Sequence, residues 1–332
     1  MTRNRRASGL AAKITLAAAS LATSTARAEG PAPGVKIVRA SAALDTLLAR
    51  DAVVEKLADG YQWTEGPLWD KTNARLLFSD IPGNRIIAWA AGKGAAEWLK
   101  PSGYTGSAPF TGREPGSNGL AFDAKGDLIL CQHGDRRLAR RGGDGKFTTL
   151  ADRYEGKRLN SPNDLNIRPN GDILFTDPPY GLPGTFTDPA RELPFTGVYR
   201  RGTDGKVTLL VKDMTAPNGI GVSPDGKTLY VANSDPKRAI WMVFPLREDG
   251  TVGEGRVFFD STSWVGKERP GLPDGLKVDV AGNVFATGPG GVIIFNAKGE
   301  HLGTIETGVP TANCAFGDDG RTLYITANTG LL

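Results

Sequence analysis

Asn163-Asp164-Leu165-Asn166-Ile167-Arg168-Pro169-Asn170-Gly171-Asp172-Ile173-Leu174-Phe175-Thr176-Asp177 reads as strand, tight turn, strand. Apolar alternation is broken by turn residues and then resumes. The phrase recurs along the chain. Asn218-Gly219-Ile220 leads through Pro224-Asp225-Gly226 to Leu229-Tyr230-Val231, and Asn118-Gly119-Leu120 through Lys125-Gly126 to Leu128-Ile129-Leu130. Asp274-Gly275-Leu276, Glu65-Gly66-Pro67-Leu68 and Ala312-Asn313-Cys314 open three more copies. The turn follows the first residue by 8 positions in all 6 copies, on Gly126, Gly171, Gly226, Gly282, Gly320 and, in the first copy, Asn73. Gly and Asn are the residues that tolerate positive φ in such a turn.

Successive copies start 53, 45, 55, 56 and 38 residues apart. That spacing holds about four strands, the size of a propeller blade. Phe147-Thr148-Thr149-Leu150, Val207-Thr208-Leu209-Leu210 and Arg256-Val257-Phe258-Phe259 fall where outer strands are needed. The last copy runs out at Leu332, too early for its own outer strands. The expected fold is therefore all-β: a six-bladed β-propeller with four-stranded blades, spanning 29–332, its ring closed by the N-terminal segment. Residues 35–58 are expected to complete the last blade, with a short helix between Ala42 and Ala49. An open β-sandwich of weak repeats is the alternative.

Composition agrees with many turns and short strands: Gly is 44 and Pro 22 of 332 residues. No run reaches the ~18 apolar residues of a transmembrane helix. Two cysteines, Cys131 and Cys314, cannot form a disulfide framework; they fall in strands of different blades and are expected as buried free thiols. Two histidines, His133 and His301, exclude a His-rich zinc site, and His301 is expected at the surface.

The N-terminus reads as an export signal, residues 1–28. Thr2-Arg3-Asn4-Arg5-Arg6 leads into an Ala/Leu-rich stretch from Leu10 to Ala22, and Ala26-Arg27-Ala28 fits a cleavage site before Glu29. The paired Arg5-Arg6 resembles a twin-arginine leader. A periplasmic or secreted protein with no membrane anchor after cleavage is expected. The leader also changes the charge. Of 40 basic and 36 acidic residues, five basic ones and no acid lie in it, leaving 35 against 36. Bulk charge then supports no nucleic-acid partner.

The first position of each copy is not explained by turn chemistry: Glu65, Asn118, Asn163, Asn218, Asp274 and Ala312. In a propeller these converge on one ring at one end of the channel. Two carboxylates with amide oxygens suit a hard cation, Ca2+ first, with Mg2+, Mn2+ or Zn2+ as alternatives, in one site. Each second strand returns to the ring end, which brings His133, Asp177 and Tyr180 to that face. Arg158 precedes Asn163 and could reach it. Asn118, His133, Arg158, Asp177 and Tyr180 are the substrate-binding candidates.

The motifs Trp63-Thr64-Glu65-Gly66-Pro67, Asn160-Ser161-Pro162-Asn163-Asp164, Thr176-Asp177-Pro178-Pro179-Tyr180-Gly181, Pro217-Asn218-Gly219 and Pro273-Asp274-Gly275 resemble the gluconolactonase / senescence-marker-protein family, over Leu44 to Leu332. The resemblance implies a six-bladed propeller that binds one divalent metal and hydrolyses small sugar lactones. It implies Glu65, Asn218 and Asp274 as metal ligands, and Asn163 as a ligand or a holder of water or substrate. Asp274 is the implied general base, with Glu65 second. Animal members carry Arg where Ser161 stands here, so their substrate preference does not transfer.

The expected chemistry is metal-assisted hydrolysis, the cation polarising the carbonyl and activating water. A related metal-dependent esterase or organophosphatase is the first alternative. A non-catalytic propeller that binds a sugar or a protein, with a structural metal, is the second. Oligomeric state is not readable. Gly221-Val222-Ser223-Pro224-Asp225-Gly226-Lys227-Thr228 matches the P-loop letters, but that motif needs a helix after its loop, and here a strand follows.

Overall fold

A computed structural model describes residues 31–332, so the proposed leader lies outside the described residues. The blades stand in sequence order. The first contains Thr64–Asp70, Arg75–Asp80, Arg85–Ala90 and Gly94–Leu99; the second Ser117–Phe122, Leu128–Gln132, Arg137–Arg141 and Phe147–Ala151. The third contains Leu165–Ile167, Ile173–Asp177, Gly197–Arg201 and Val207–Val211; the fourth Pro217–Val222, Thr228–Asp235, Arg238–Pro245 and Arg256–Asp260. Leu276–Val278, Val284–Gly288, Gly291–Phe295 and His301–Glu306 form the fifth. All pairings are antiparallel, and second strands such as Leu128–Gln132 and Ile173–Asp177 are wholly buried. The apolar core accordingly lies between blades. Phe175 and Tyr199 of the third blade, for example, share a cluster with Ile129 and Leu138 of the second.

The ring closes through the N-terminal segment, but over fewer residues than expected. The sixth blade has Thr311–Gly317, Thr322–Ala327 and Gly330–Leu331, and its fourth place is taken by Leu57 and Ala58, which pair with Leu331. Lys36–Arg39 does not join this blade. It adds a fifth strand to the outer edge of the fifth blade, against Gly303–Glu306. Between these two attachments, Ala42–Thr46 forms a 3-10 turn that buries Leu44. The N-terminal segment thus straddles two blades and seals both.

Gly126, Gly171, Gly226, Gly282 and Gly320 all have positive φ, between 71° and 89°. The first copy departs: Asn73 is not the left-handed residue, and Ala74 takes φ 48°. The P-loop-like segment is a hairpin turn between two strands of the fourth blade, closed by the Asp225 side chain, which accepts from Ser223 Oγ and Lys227 N. Cys131 and Cys314 are buried and free, as expected. His301 is not a plain surface residue: its ring packs 5.2 Å from Trp264 and 6.1 Å from Phe295.

Candidate metal centre and active site

The inner strands deliver their first residues to one end of the channel by a shared device. Register shifts interrupt the inner-strand pairing between Glu65 and Leu68, Ser117 and Leu120, Pro217 and Ile220, and Thr311 and Asn313. A bulge at that point turns side chains away from the sheet face. In the third and fifth blades the ring residue lies just ahead of the inner strand, held by Asn163 N donating to Thr176 O and Asp274 N to Thr287 O. Adjacent copies are then tied together. Ser79 Oγ donates to Asn118 O at 2.9 Å, Thr176 Oγ1 to Asn218 O at 2.7 Å, and Thr287 Oγ1 to Ala312 O at 2.8 Å.

The glycine after the ring residue is a packing requirement. A Cβ on Gly66 would lie 2.0 Å from Asn118 O, and one on Gly219 would lie 2.1 Å from Asp274 O. Two copies carry a side chain instead, Asp164 and Asn313, and these fill the channel beneath the ring. Gly119 and Gly275 make the space: a Cβ there would meet Asp164 Oδ1 at 2.7 Å and Asn313 Cγ at 1.9 Å. Asn313 Nδ2 donates to Glu65 Oε2 at 3.2 Å, and Asn313 Oδ1 accepts from Lys277 Nζ at 3.1 Å. Asp164, Lys277 and Asn313 were not singled out by sequence reasoning. The departure of Asp164 and Asn313 from the glycine of the other copies was the available signal.

Glu65, Asn118, Asn163, Asn218 and Asp274 line one cavity of about 670 Å³ together with Tyr180. Its upper wall is apolar, with Trp63, Phe186, Val265 and Leu272. Glu65, Asn163 and Asn218 are 2%, 2% and 4% exposed, so their polar atoms depend on partners at the site itself. Glu65 Oε2 finds them in Gly66 N and Asn313 Nδ2, but the other ring residues each leave an oxygen unmatched. Asn118 Oδ1, Asn163 Oδ1, Asn218 Oδ1 and Asp274 Oδ1 are buried and accept no hydrogen bond. Buried polar atoms are satisfied in the great majority of cases, so four unmatched acceptors from residues lining one cavity call for a cation or donors from a ligand. Burial, then the neighbouring Asp164, pushes Glu65 up to about 7. Burial, then the charge of Glu65, holds Asp274 well above the usual carboxylate range. Positive charge beside them would favour the ionised form of both groups at neutral pH.

Among the described residues no three His, Cys, Asp or Glu gather to hold a metal. The donor set here is two carboxylates with neutral amide oxygens, the chemistry of a hard cation such as Ca2+. The residues therefore fit the group that the sequence implies.

Three expected substrate residues do not line this cavity. Asp177 is fully buried, and its two oxygens accept from Asn160 N at 2.8 Å and Ser161 N at 2.7 Å. Its chain position was right for the ring face, but the loop ahead of Asn163 folds over it and uses it as an anchor. Arg158 sits in a small hairpin, Arg153–Tyr154 with Lys157–Arg158, and its Nη2 donates to Asp135 O. His133 is fully buried behind Glu114, its Nδ1 at 2.8 Å from Glu114 Oε2. Glu114 itself lines the cavity and was missed. It lies in the connection from Leu99 to Ser117, outside every repeat, where no periodic signal reaches.

Comparison with known proteins agrees with this architecture. The family model of the SMP-30/Gluconolactonase/LRE-like region matches residues 63–329. The chain is 38% identical to a gluconolactonase of Zymomonas mobilis over 298 residues, 88% of this chain and 84% of that protein. It is 29% identical to a pentonolactonase of Haloferax volcanii, over 80% of this chain and 81% of that one. The solved gluconolactonase of Xanthomonas campestris superposes with a TM-score of 0.77 at 33% identity, covering 91% of this chain and 95% of that structure.

Proposed function

The chain belongs to the SMP-30/gluconolactonase/LRE-like family, and from that premise we propose that it is a lactonase which opens sugar lactones with the help of one bound divalent cation, Ca2+ first. One observation carries the cation: the buried, unmatched oxygens of Asn163, Asn218 and Asp274 beside Glu65. The substrate class is supported by the cavity, whose size suits a monosaccharide-sized ligand, and by the activities named for the relatives.

Glu65, Asn163, Asn218 and Asp274 would hold the cation. When bound, it supplies Lewis-acid polarisation of the lactone carbonyl and lowers the cost of ionising a water beside it. Water adds to the carbonyl carbon, and Asp274 accepts its proton, with Glu65 as the second acceptor. The ring C–O bond then breaks, the ring oxygen takes up a proton, and the product is a hydroxy acid. Tyr180, its phenol pushed up by burial and by Asp274, stays protonated as a donor towards the bound lactone. Asn118 offers its free carboxamide oxygen to a sugar hydroxyl. Trp63, Phe186 and Leu272 offer an apolar wall against which the lactone ring would pack.

Proton release from D-glucono-δ-lactone, followed with and without chelator, tests this reading. Turnover that survives full chelation would remove the cation from it. Turnover of phosphotriesters or aryl esters but of no lactone would favour the esterase or organophosphatase alternative. A cation-raised melting temperature with no turnover at all would favour a binding propeller. Export supplies a separate part of the proposal, and a mature N-terminus at Glu29 in the periplasmic or secreted fraction tests it.

A further inference from the structure

Glu114 and His133 form a built pair at the edge of the cavity. Glu114 reaches it from the loop between the first two blades, His133 from the loop after Leu128–Gln132. The imidazole is fully buried, whereas the Glu114 side chain is 29% exposed. An ionised carboxylate only accepts, so Nδ1 carries the proton and donates to Oε2 across 2.8 Å. The other ring nitrogen, Nε2, is buried without a partner. Leaving a buried ring nitrogen unmatched is unfavourable, and an apolar residue would avoid it. Nδ1 is the useful atom, and its one partner is Glu114.

The pair faces the chemistry. Glu114 lines the same cavity as Asp274 and Tyr180, and its charge acts on both. Among the described residues its second oxygen, Oε1, has no protein partner. Gly181 closes the back of the pair: a Cβ there would lie 2.7 Å from His133 O and 2.8 Å from His133 Cβ. His133 therefore has little room to shift, and its Nδ1 holds one oxygen of Glu114.

We propose that Glu114 is a substrate-binding residue that accepts hydrogen bonds from hydroxyls of the bound lactone, and that His133 is the positioning residue that fixes its carboxylate. This deepens the lactonase reading and rests on it. A carboxylate held at one oxygen selects for hydroxyls because its other oxygen must give up water on binding and recovers that loss only from a donor. A lactone without hydroxyls leaves it unmatched.

The test is a ratio: kcat/KM for D-glucono-δ-lactone over kcat/KM for δ-valerolactone, which has the same ring and no hydroxyls. The ratio is independent of the folded fraction of a variant. Glu114→Ala is expected to lower it by about tenfold or more, mostly through KM for the hydroxylated substrate. His133→Leu is expected to lower it in the same direction, and His133→Asn, which keeps a donor near the place of Nδ1, to restore part of the loss. A ratio that changes less than tenfold in Glu114→Ala overturns the proposal. So does a tenfold weaker Ca2+ affinity with the ratio intact, which would assign Glu114 to the cation. A wild-type protein that opens neither lactone is a different result: it overturns the lactonase reading and this proposal with it.

Discussion

Asn313 Nδ2 donates to Glu65 Oε2 at 3.2 Å, joining the sixth blade to the first across 248 positions of sequence. Its Oδ1 meanwhile accepts from Lys277 Nζ at 3.1 Å and from Cys314 N at 2.9 Å. One amide therefore bonds a carboxylate of the proposed cation site and a partly buried ammonium. Asn313→Leu removes both functions, leaving Glu65 Oε2 with Gly66 N and Lys277 Nζ with Leu276 O as partners. It is expected to cost about 3 kcal/mol of stability, read by urea denaturation, and to weaken Ca2+ binding. Unchanged stability would show that the channel network contributes nothing.

Asp274→Ala and Glu65→Ala test the ring directly. Each is expected to lower kcat/KM on D-glucono-δ-lactone by about 10³-fold and to abolish the rise in melting temperature on adding Ca2+. Asn218→Ala removes a proposed neutral ligand and should lose Ca2+ affinity first, with activity recovering at high Ca2+. Full metal-dependent activity in both carboxylate variants would refute the assignment.

The buried carboxylates link stability to pH. Glu65 lies near 4.5 in the unfolded chain and at about 7 in the folded, cation-free protein. Between these values the native state holds a proton that the unfolded chain has released, so native stability falls as pH rises. The contribution, about 3 kcal/mol, is fully present below pH 4.5 and lost above about 7. Asp274 acts in the same direction. A bound cation takes the place of the protons, so its affinity rises with pH. The gap in melting temperature between Ca2+-loaded and chelated protein should widen from pH 5 to pH 8. A constant gap would mean that neither carboxylate changes ionisation when the cation binds.

Two glycines of the fifth blade separate packing from turn geometry. At Gly275 a Cβ would lie 1.9 Å from Asn313 Cγ, whereas at Gly282 the nearest atom is 3.4 Å away and only a φ of 86° stands against a side chain. Gly275→Ala should destabilise by several kcal/mol, and Gly282→Ala by only about 1 kcal/mol. Thermal unfolding of the two variants side by side checks the order.

The repeat made the fold legible because each blade restates one local pattern. Alternation supplies the strands, and a glycine at one offset supplies the turn, as the positive φ of Gly126, Gly171, Gly226 and Gly282 bears out. That Glu65, Asn118, Asn163, Asn218 and Asp274 share one cavity was legible for the same reason, since equivalent places in a closed ring must converge. Trouble began where the pattern is silent. Lys36–Arg39 looked available to the last blade, but an edge strand joins whichever edge is open and complementary, and that edge belongs to the fifth.

What the sequence alone determined is the local and the periodic: strands, turns, six blades and the polar ring. Tertiary structure alone decided which side chains face the cavity. Asp177 shares its chain position with ring-face residues yet turns inward to cap Asn160 and Ser161. Glu114 shares its position with nothing and arrives by a long loop. His133 is joined to the cavity only through it. Such contacts join residues far apart in the chain, and loop closure and side-chain packing fix them without any periodicity to betray them.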